Sequence, residues 1–469
     1  MRVRVQVIVE TDDDTPPTAH EVARIERSDV RIDTLGLHLA EAKDLLQKVQ
    51  DVVIAEQARK ALAEQVACPA YGRARRHKDI ATIVLRTLFG TLRLRSPRWW
   101  HCPCRPQPSR TFSPLAAVLP ARTTPELLYL ESKFSGLISY GQSASLLAET
   151  LPLGRPLHAT AVRLHTQATA EKLERELGPE QSMFIEGCQA EWDELPRPDL
   201  PLTVGLDGGY VHSSQQRSRR DGWFEVIAGK SMPADGPAKC FGFVQCYDRK
   251  PKRRLFEVLR SQGMRPNQQV TFLTDGGDDV RELPLYLNPQ SQHLLDWFHI
   301  TMRLTVLSQM AKGVRSRENP SLTDELTEEL ERLKWYLWHG NVFLALQTTT
   351  FVQLDIDSVE VSPEQQKLSE AIAEFGGYIR ANAAWIANYG ERFRSGEAIS
   401  SAFVESAVNQ VVSKRMVKKQ QMRWTPRGAH LLLQVRTRVL NDELGDVFQR
   451  WYPAFVAASA GTAQTELAA

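Results

Sequence analysis

Apolar and polar positions alternate near the start of the chain. Val3, Val5, Val7 and Val9 interleave with Arg2, Arg4 and Gln6, which predicts one strand. The period then changes. From Leu35 to Ala67, apolar residues at Leu35, Leu39, Ala42, Leu46, Val49 and Val53 recur at three- and four-residue steps, which predicts an amphipathic helix. Ile83, Val84, Leu85 and Leu88 before Gly90, with Leu92 and Leu94 after it, predict a hairpin. Thr124 as N-cap and Pro125 at the first helical position open one helix, and Ser139 caps a second over 140–151. Pro152 to Pro156 is a tight connector into a third helix from Leu157 to Leu177.

Farther on the pattern becomes strand 202–207, strand 223–228, strand 240–247, helix 253–262, strand 270–275, short helix 278–283, strand 291–296 and helix 299–311. Three strands followed by alternating helices and strands predict an α/β fold with a mixed sheet, in the order of an RNase H-like fold. Leu322, Leu326, Leu330, Leu333 and Leu337 mark 312–395 as helical. Ile399 to Val417 reads as one helix with Phe403, Ala407 and Val411 on a stripe. The implied organisation is an N-terminal strand and helix (1–67), a zinc-ribbon-like basic hairpin (68–110) and a helix-turn-helix-like region (120–190). An α/β core (200–311), a helical insertion (312–395), a final core helix with C-terminal helices (396–456) and a frayed tail (457–469) follow.

Composition changes this picture little. The 469 residues are 42% hydrophobic and 24% charged, the profile of a globular protein with ample core, and net charge is +2. No apolar run is long enough to span a bilayer and Met1 to Val5 lacks a signal-peptide core, so the expected location is the cytoplasm. There, the six cysteines are not expected to form disulfides. Cys68, Cys102 and Cys104 supply three ligands for zinc, with His77 or His101 as the fourth; otherwise the segment is a basic hairpin with plain cysteines. Arg93, Arg95, Arg98, Trp99 and Trp100 suit contact with a nucleic-acid backbone in either case.

The candidate chemistry lies in two stretches of one shape. Leu202 to Gly209 and Val270 to Gly277 each run as a short strand into Asp-Gly-Gly. They deliver Asp207 and Asp275 to one sheet edge, where glycine leaves room for a backbone, a metal or a phosphate. A third carboxylate is needed on a later helix: Glu405, with Glu391 and Glu397 as substitutes. Carboxylates select magnesium or manganese, and three can hold two ions about 4 Å apart for an in-line displacement. An Asp before Gly is also a common turn residue, and a Glu early in a helix also suits the helix dipole. Asp278 and Asp279 are read as helix caps. Asp296 and His299, three apart at a strand-to-helix junction, either support the site or cap and pack a helix start. Arg249, Lys250, Lys252, Arg253 and Arg254 form a phosphate clamp or a solvated loop. Lys414, Arg415, Lys418, Lys419, Arg423 and Trp424 crowd the end of the final helix. In the helix-turn-helix reading, Thr160, Arg163 and His165 face a DNA groove.

Four ordered motifs carry a resemblance: Leu206 to Gly209, Thr274 to Gly277, Asp296 to Ile300, and Val404 to Gln410 with its basic sequel through Trp424. In these the chain resembles bacterial insertion-sequence transposases of the DDE type, in particular the Kra-type group with its Mutator-like layout. Tyr71 departs from the pattern, standing where the zinc knuckle would have a cysteine. The resemblance implies Asp207, Asp275 and Glu405 as metal ligands, cleavage and strand transfer at the element's DNA ends, and at least a dimer on DNA. Alternatives are an RNase H-like nuclease without strand transfer, or a transposase-derived DNA-binding protein that no longer cuts.

Overall fold

The computed structural model describes residues 1–10, 16–102, 104, 111–181, 184, 187–196, 202–214, 222–277, 287, 291–358, 362–400, 402–417 and 422–456. The chain divides into two units, 1–169 with 442–469, and 170–441. Among the described residues no helix is long and apolar enough to cross a membrane.

In the first unit, β1 (Arg2–Val9) pairs antiparallel with β2 (Thr18–Glu26), a strand that the alternation did not predict. Helix α1 (Leu39–Ala63) falls within the predicted helical stretch. Strands β3 (His77–Thr87) and β4 (Gly90–Trp100) form the expected hairpin, turning between Thr87 and Gly90, and β5 (Thr111–Phe112) pairs with the end of β4. Helices α2 (Pro114–Val118), α3 (Pro125–Leu137) and α4 (Tyr140–Thr150) follow, and α5 (Ala159–Glu176) begins in this unit and passes into the second at Ala170. The Ser139 hydroxyl caps α4 by accepting the Gln142 amide at 3.2 Å. Leu127, Leu147 and Leu153 form the core between α3 and α4, and the closing helix Leu444–Trp451 sets Phe448 against Tyr129.

The second unit is α/β. After α6 (Gln189–Asp193) come β6 (Leu202–His212), β7 (Trp223–Pro233), β8 (Lys239–Val244), α7 (Pro251–Ser261), β9 (Val270–Thr274) and β10 (Ser291–Leu295). They make one mixed sheet in the order β10-β9-β6-β7-β8. The antiparallel half is β6-β7-β8 and the parallel half β6-β9-β10. The predicted short helix 278–283, with Asp278 and Asp279, lies outside the described residues.

Side chains alternate across a strand, and this sorts the sheet faces. Leu202, Val204, Leu206, Val270 and Phe272 pack with Leu255 and Leu259 of α7. The opposite face meets the C-terminal helices: a Cβ on Gly209 would lie 3.2 Å from Val408, and one on Gly242 3.3 Å from Val411. Between β10 and those helices stand α8 (Trp297–Ala311), α9 (Leu322–Trp338), α10 (Val342–Asp357), α11 (Pro363–Ala381) and α12 (Tyr389–Arg394). Leu322, Leu326, Leu330, Leu333 and Leu337 line the core of this insertion, as their spacing predicts.

The final helix departs from expectation. It is α-helical only over α13 (Ala402–Val408), then widens into a π-helix over Asn409–Val417, before α14 (Pro426–Leu440). The wider turn brings Val411, Val412, Arg415 and Met416 inward together. Arg436 of α14 donates from Nε to the Val411 carbonyl at 2.8 Å and from Nη2 to the Gln410 carbonyl, tying α14 to the widened turn.

Candidate functional site

Strand register sets the site. Leu202 to Gly205 of β6 pair with Val270 to Leu273 of β9, an offset of 68 residues. Asp275 follows Asp207 by the same 68, so two further steps along both strands bring the two carboxylates level. Val270 to Thr274 pair with Ser291 to Leu295 of β10 at an offset of 21, which brings Asp296 level with Asp275. Three neighbouring parallel strands, about 4.8 Å apart, thus carry aspartates at one rung: β9 and β10 end there, whereas β6 continues past Asp207 and its Gly-Gly pair to His212. Asp207 shares the sheet face of Gly209, the face covered by α13.

Each aspartate is held locally. Asp207 is half-buried and its Oδ1 accepts the Gly208 amide at 2.8 Å. Asp275 is half-buried and its Oδ1 accepts the Gly277 amide at 3.0 Å. Gly276 has φ 86°, and a Cβ there would lie 2.4 Å from Asn382 Oδ1. Asp296 is fully buried and caps α8, its Oδ1 accepting the Phe298 amide at 2.9 Å, while Oδ2 lies 3.6 Å from His299 Nε2.

The insertion braces this edge. Tyr378 of α11 donates its hydroxyl to the Asp275 carbonyl at 2.9 Å, and Tyr389 of α12 to the Leu295 carbonyl at 2.7 Å. Burial, and then the negative charges of Asp275 and Asp296, push the Asp207 carboxyl above its ordinary range; His299 and the Gly208 amide pull the other way.

No protein-family model matches the chain, and no curated protein matches it. One solved structure to which it is similar is a Drosophila P element transposase strand transfer complex. The two share 10% identity over 69% of this chain and 93% of that chain, with a TM-score of 0.32.

Glu405 lies in α13, one turn before Val408, and its side chain is outside the described part of the structure. Of the substitutes, Glu391 sits in the first turn of α12, and Glu397 pairs with Arg392 at 2.6 Å.

The basic residues separate by exposure. Arg249, Lys414 and Arg423 are exposed, and Lys418 and Lys419 lie outside the described residues. Lys250 reaches the Glu174 carbonyl at 3.5 Å. The amides of Lys252 and Arg253 both donate to the Glu180 carboxylate, and Arg253 Nε donates to the Leu177 carbonyl at 2.8 Å. Arg254 and Arg415 are turned into the protein. Arg254 is 7% exposed and meets Asp248 Oδ2 at 2.9 Å, Glu174 Oε1 at 2.9 Å and Gln434 Oε1 at 2.5 Å. Arg415 is fully buried over the Trp424 ring, which is itself buried and donates to the Met416 carbonyl. In the first unit, Thr160 and Arg163 are exposed on α5, whereas His165 Nδ1 meets the buried Glu131 of α3.

Among the described residues, two clusters bring metal-ligand types together. Glu174, Asp248 and His430 converge, yet the Arg254 guanidinium already occupies the place a cation would take. The signal for it was present: Arg254, Leu255, Val258 and Leu259 form the inward stripe of α7, and a cation on such a stripe implies buried carboxylate partners. The second cluster is Cys68, Cys102 and Cys104; neither histidine offered from sequence as a fourth ligand is within it, His77 lying in β3 opposite Trp99 and His101 just past the end of β4.

Proposed function

We propose that this chain is a DNA transposase of the DDE type, cutting and joining DNA at the ends of an insertion sequence. The observation that carries the reading is the shared rung of Asp207, Asp275 and Asp296 at one sheet edge. The strand order and the helix packed over Gly209 support assigning the second unit to the RNase H-like fold. The Kra-type grouping rests on the four sequence motifs.

The acidic edge suits a hard divalent cation. Mutual repulsion and burial lift the Asp207 carboxyl, and an oxygen-seeking ion relieves both. Asp207, Asp275 and Glu405 would hold magnesium or manganese, which when bound supplies Lewis acidity to the attacking and leaving oxygens. Asp207 must be ionised to act as a ligand. The Gly277 amide holds the Asp275 carboxylate at the turn, and Asp296 holds His299 at the edge. Water attacks the phosphodiester at an element end and releases a 3′-hydroxyl. That hydroxyl then attacks a target phosphodiester, forming one bond and breaking one. Thr160 and Arg163 of the helical region, and the exposed Arg249, Lys414 and Arg423, are the proposed DNA contacts. Joining two ends requires at least a dimer on DNA.

The test is cleavage and strand transfer on DNA bearing the element's own ends, with magnesium or manganese. Asp207→Asn, Asp275→Asn and Glu405→Gln are each expected to lower both steps by about 10³-fold or more, as loss of several kcal/mol of charge stabilisation would, while DNA binding persists. Activity retained in Glu405→Gln moves the third ligand to Glu391 or Glu397. Cleavage without transfer assigns a nuclease, and binding without cleavage a DNA-binding protein.

A further inference from the structure

Three cysteines in the first unit play no part in the proposed reaction. Residues Val66 to Arg75 fold back on themselves: Arg75 N–H donates to the Val66 carbonyl, Cys68 N–H to Arg73 and Gly72 N–H to Cys68, each at 2.8 Å. Gly72 takes φ 64° to make the turn. Strand β4 hands over from its other end to His101, Cys102 and Cys104.

The two segments meet at their sulfurs. Cys68 Sγ lies 3.5 Å from Cys104 Sγ, all three sulfurs fall within 4.8 Å of one another, and none is in a disulfide. They open into a cavity of about 390 Å³ whose walls include Arg73, Arg75, Arg76 and His101. Plain packing cysteines avoid cations, whereas thiolates are stabilised by them.

We propose that Cys68, Cys102 and Cys104 bind one zinc ion, with His101 rather than His77 as the fourth ligand. Soft thiolates select zinc over hard cations, and a structural site closes with four ligands. Three thiolates with one zinc ion leave a single negative charge, which the surrounding arginines balance. His101 lines the cavity and adjoins Cys102; its tie is a stack on Phe112 at 4.7 Å, which a rotation of the ring releases. His77 is not among the residues lining the cavity. The ion would staple the 66–75 turn to the end of β4 and so fix the arginine-rich edge between them.

The experiment is metal analysis of the full chain, followed by exchange of zinc for cobalt and absorption spectroscopy. One zinc per chain is expected, with a thiolate-to-cobalt charge-transfer band and tetrahedral d–d bands. Cys68→Ser and Cys104→Ser reduce the metal to background. His101→Ala shifts the d–d bands, and His77→Ala changes nothing. If the cysteine variants do not fold, alkylation of the parent decides: the three thiols are protected until a chelator is added. A parent without zinc or charge-transfer band, equal alkylation with and without chelator, or a Cys68–Cys104 disulfide in peptide maps each overturns the site. Loss of metal in His77→Ala overturns the choice of His101.

Discussion

Asp207 holds a carboxylate where burial and two neighbouring acids oppose ionisation. Its folded pKa lies above the unfolded value of about 3.9. The stability that it contributes is therefore fully present below the unfolded value and is lost as pH rises through the folded one. At neutral pH and without divalent ions, Asp207→Asn should melt at a higher temperature than the parent in scanning calorimetry. Magnesium should raise the midpoint of the parent and not that of the variant. A variant that melts lower than the metal-free parent would refute the account. Gly276 is constrained differently. Its positive φ and the 2.4 Å approach to Asn382 lead us to expect that Gly276→Ala costs about 1–3 kcal/mol in urea unfolding.

Arg254 links four elements: α7, the end of β8 through Asp248, α5 through Glu174, and α14 through Gln434. Removing it strands two carboxylates, so Arg254→Ala should cost about 3–5 kcal/mol in denaturant unfolding. Burial alone would raise the Glu174 carboxyl, but His430 and Arg254 outweigh it and hold it at about 2. Stability from this group is present above its unfolded pKa, about 4.3, and is lost as pH falls toward the folded value. Glu174→Gln should flatten the acid limb of the stability profile over that window. None of this was legible as a run of cations, because exposure and clamp predict the same spacing; only the helical stripe separates Arg254 from Arg249. The strand ending before Asp275 was legible, since a central strand reads as an apolar run that breaks at Gly-Gly; β6 was expected to break at Gly208-Gly209 as well, but pairing with β7 carries it through both glycines to His212. The π-helix was not: the stripe Phe403, Ala407, Val411 fits either winding, and the wider turn declares itself only in Val412, Arg415 and Met416. Strand β2 escaped because half its length is polar and its order comes from pairing with β1 and packing against α1.

Across the second unit, the helical insertion is joined to the acidic edge by two phenols on backbone carbonyls. Each such bond is worth about 0.5–1.5 kcal/mol net. Tyr378→Phe should therefore lower stability by about 1 kcal/mol and loosen the Asp275 turn, read as faster amide exchange at Gly276 and Gly277. Unchanged exchange there would separate the insertion from the site.

Synthesis of the chain gives the packing of Val408 against Gly209 a temporal meaning. The sheet rung is translated once Asp296 has been made, but the helix that covers Gly209 begins at Ala402. At about 5–20 residues per second, roughly ten to forty seconds separate synthesis of Asp207 from synthesis of that helix. A nascent chain still on the ribosome holds the aspartates without their covering helix, and in the proposed reading it cannot cut the DNA around it until that helix has been made.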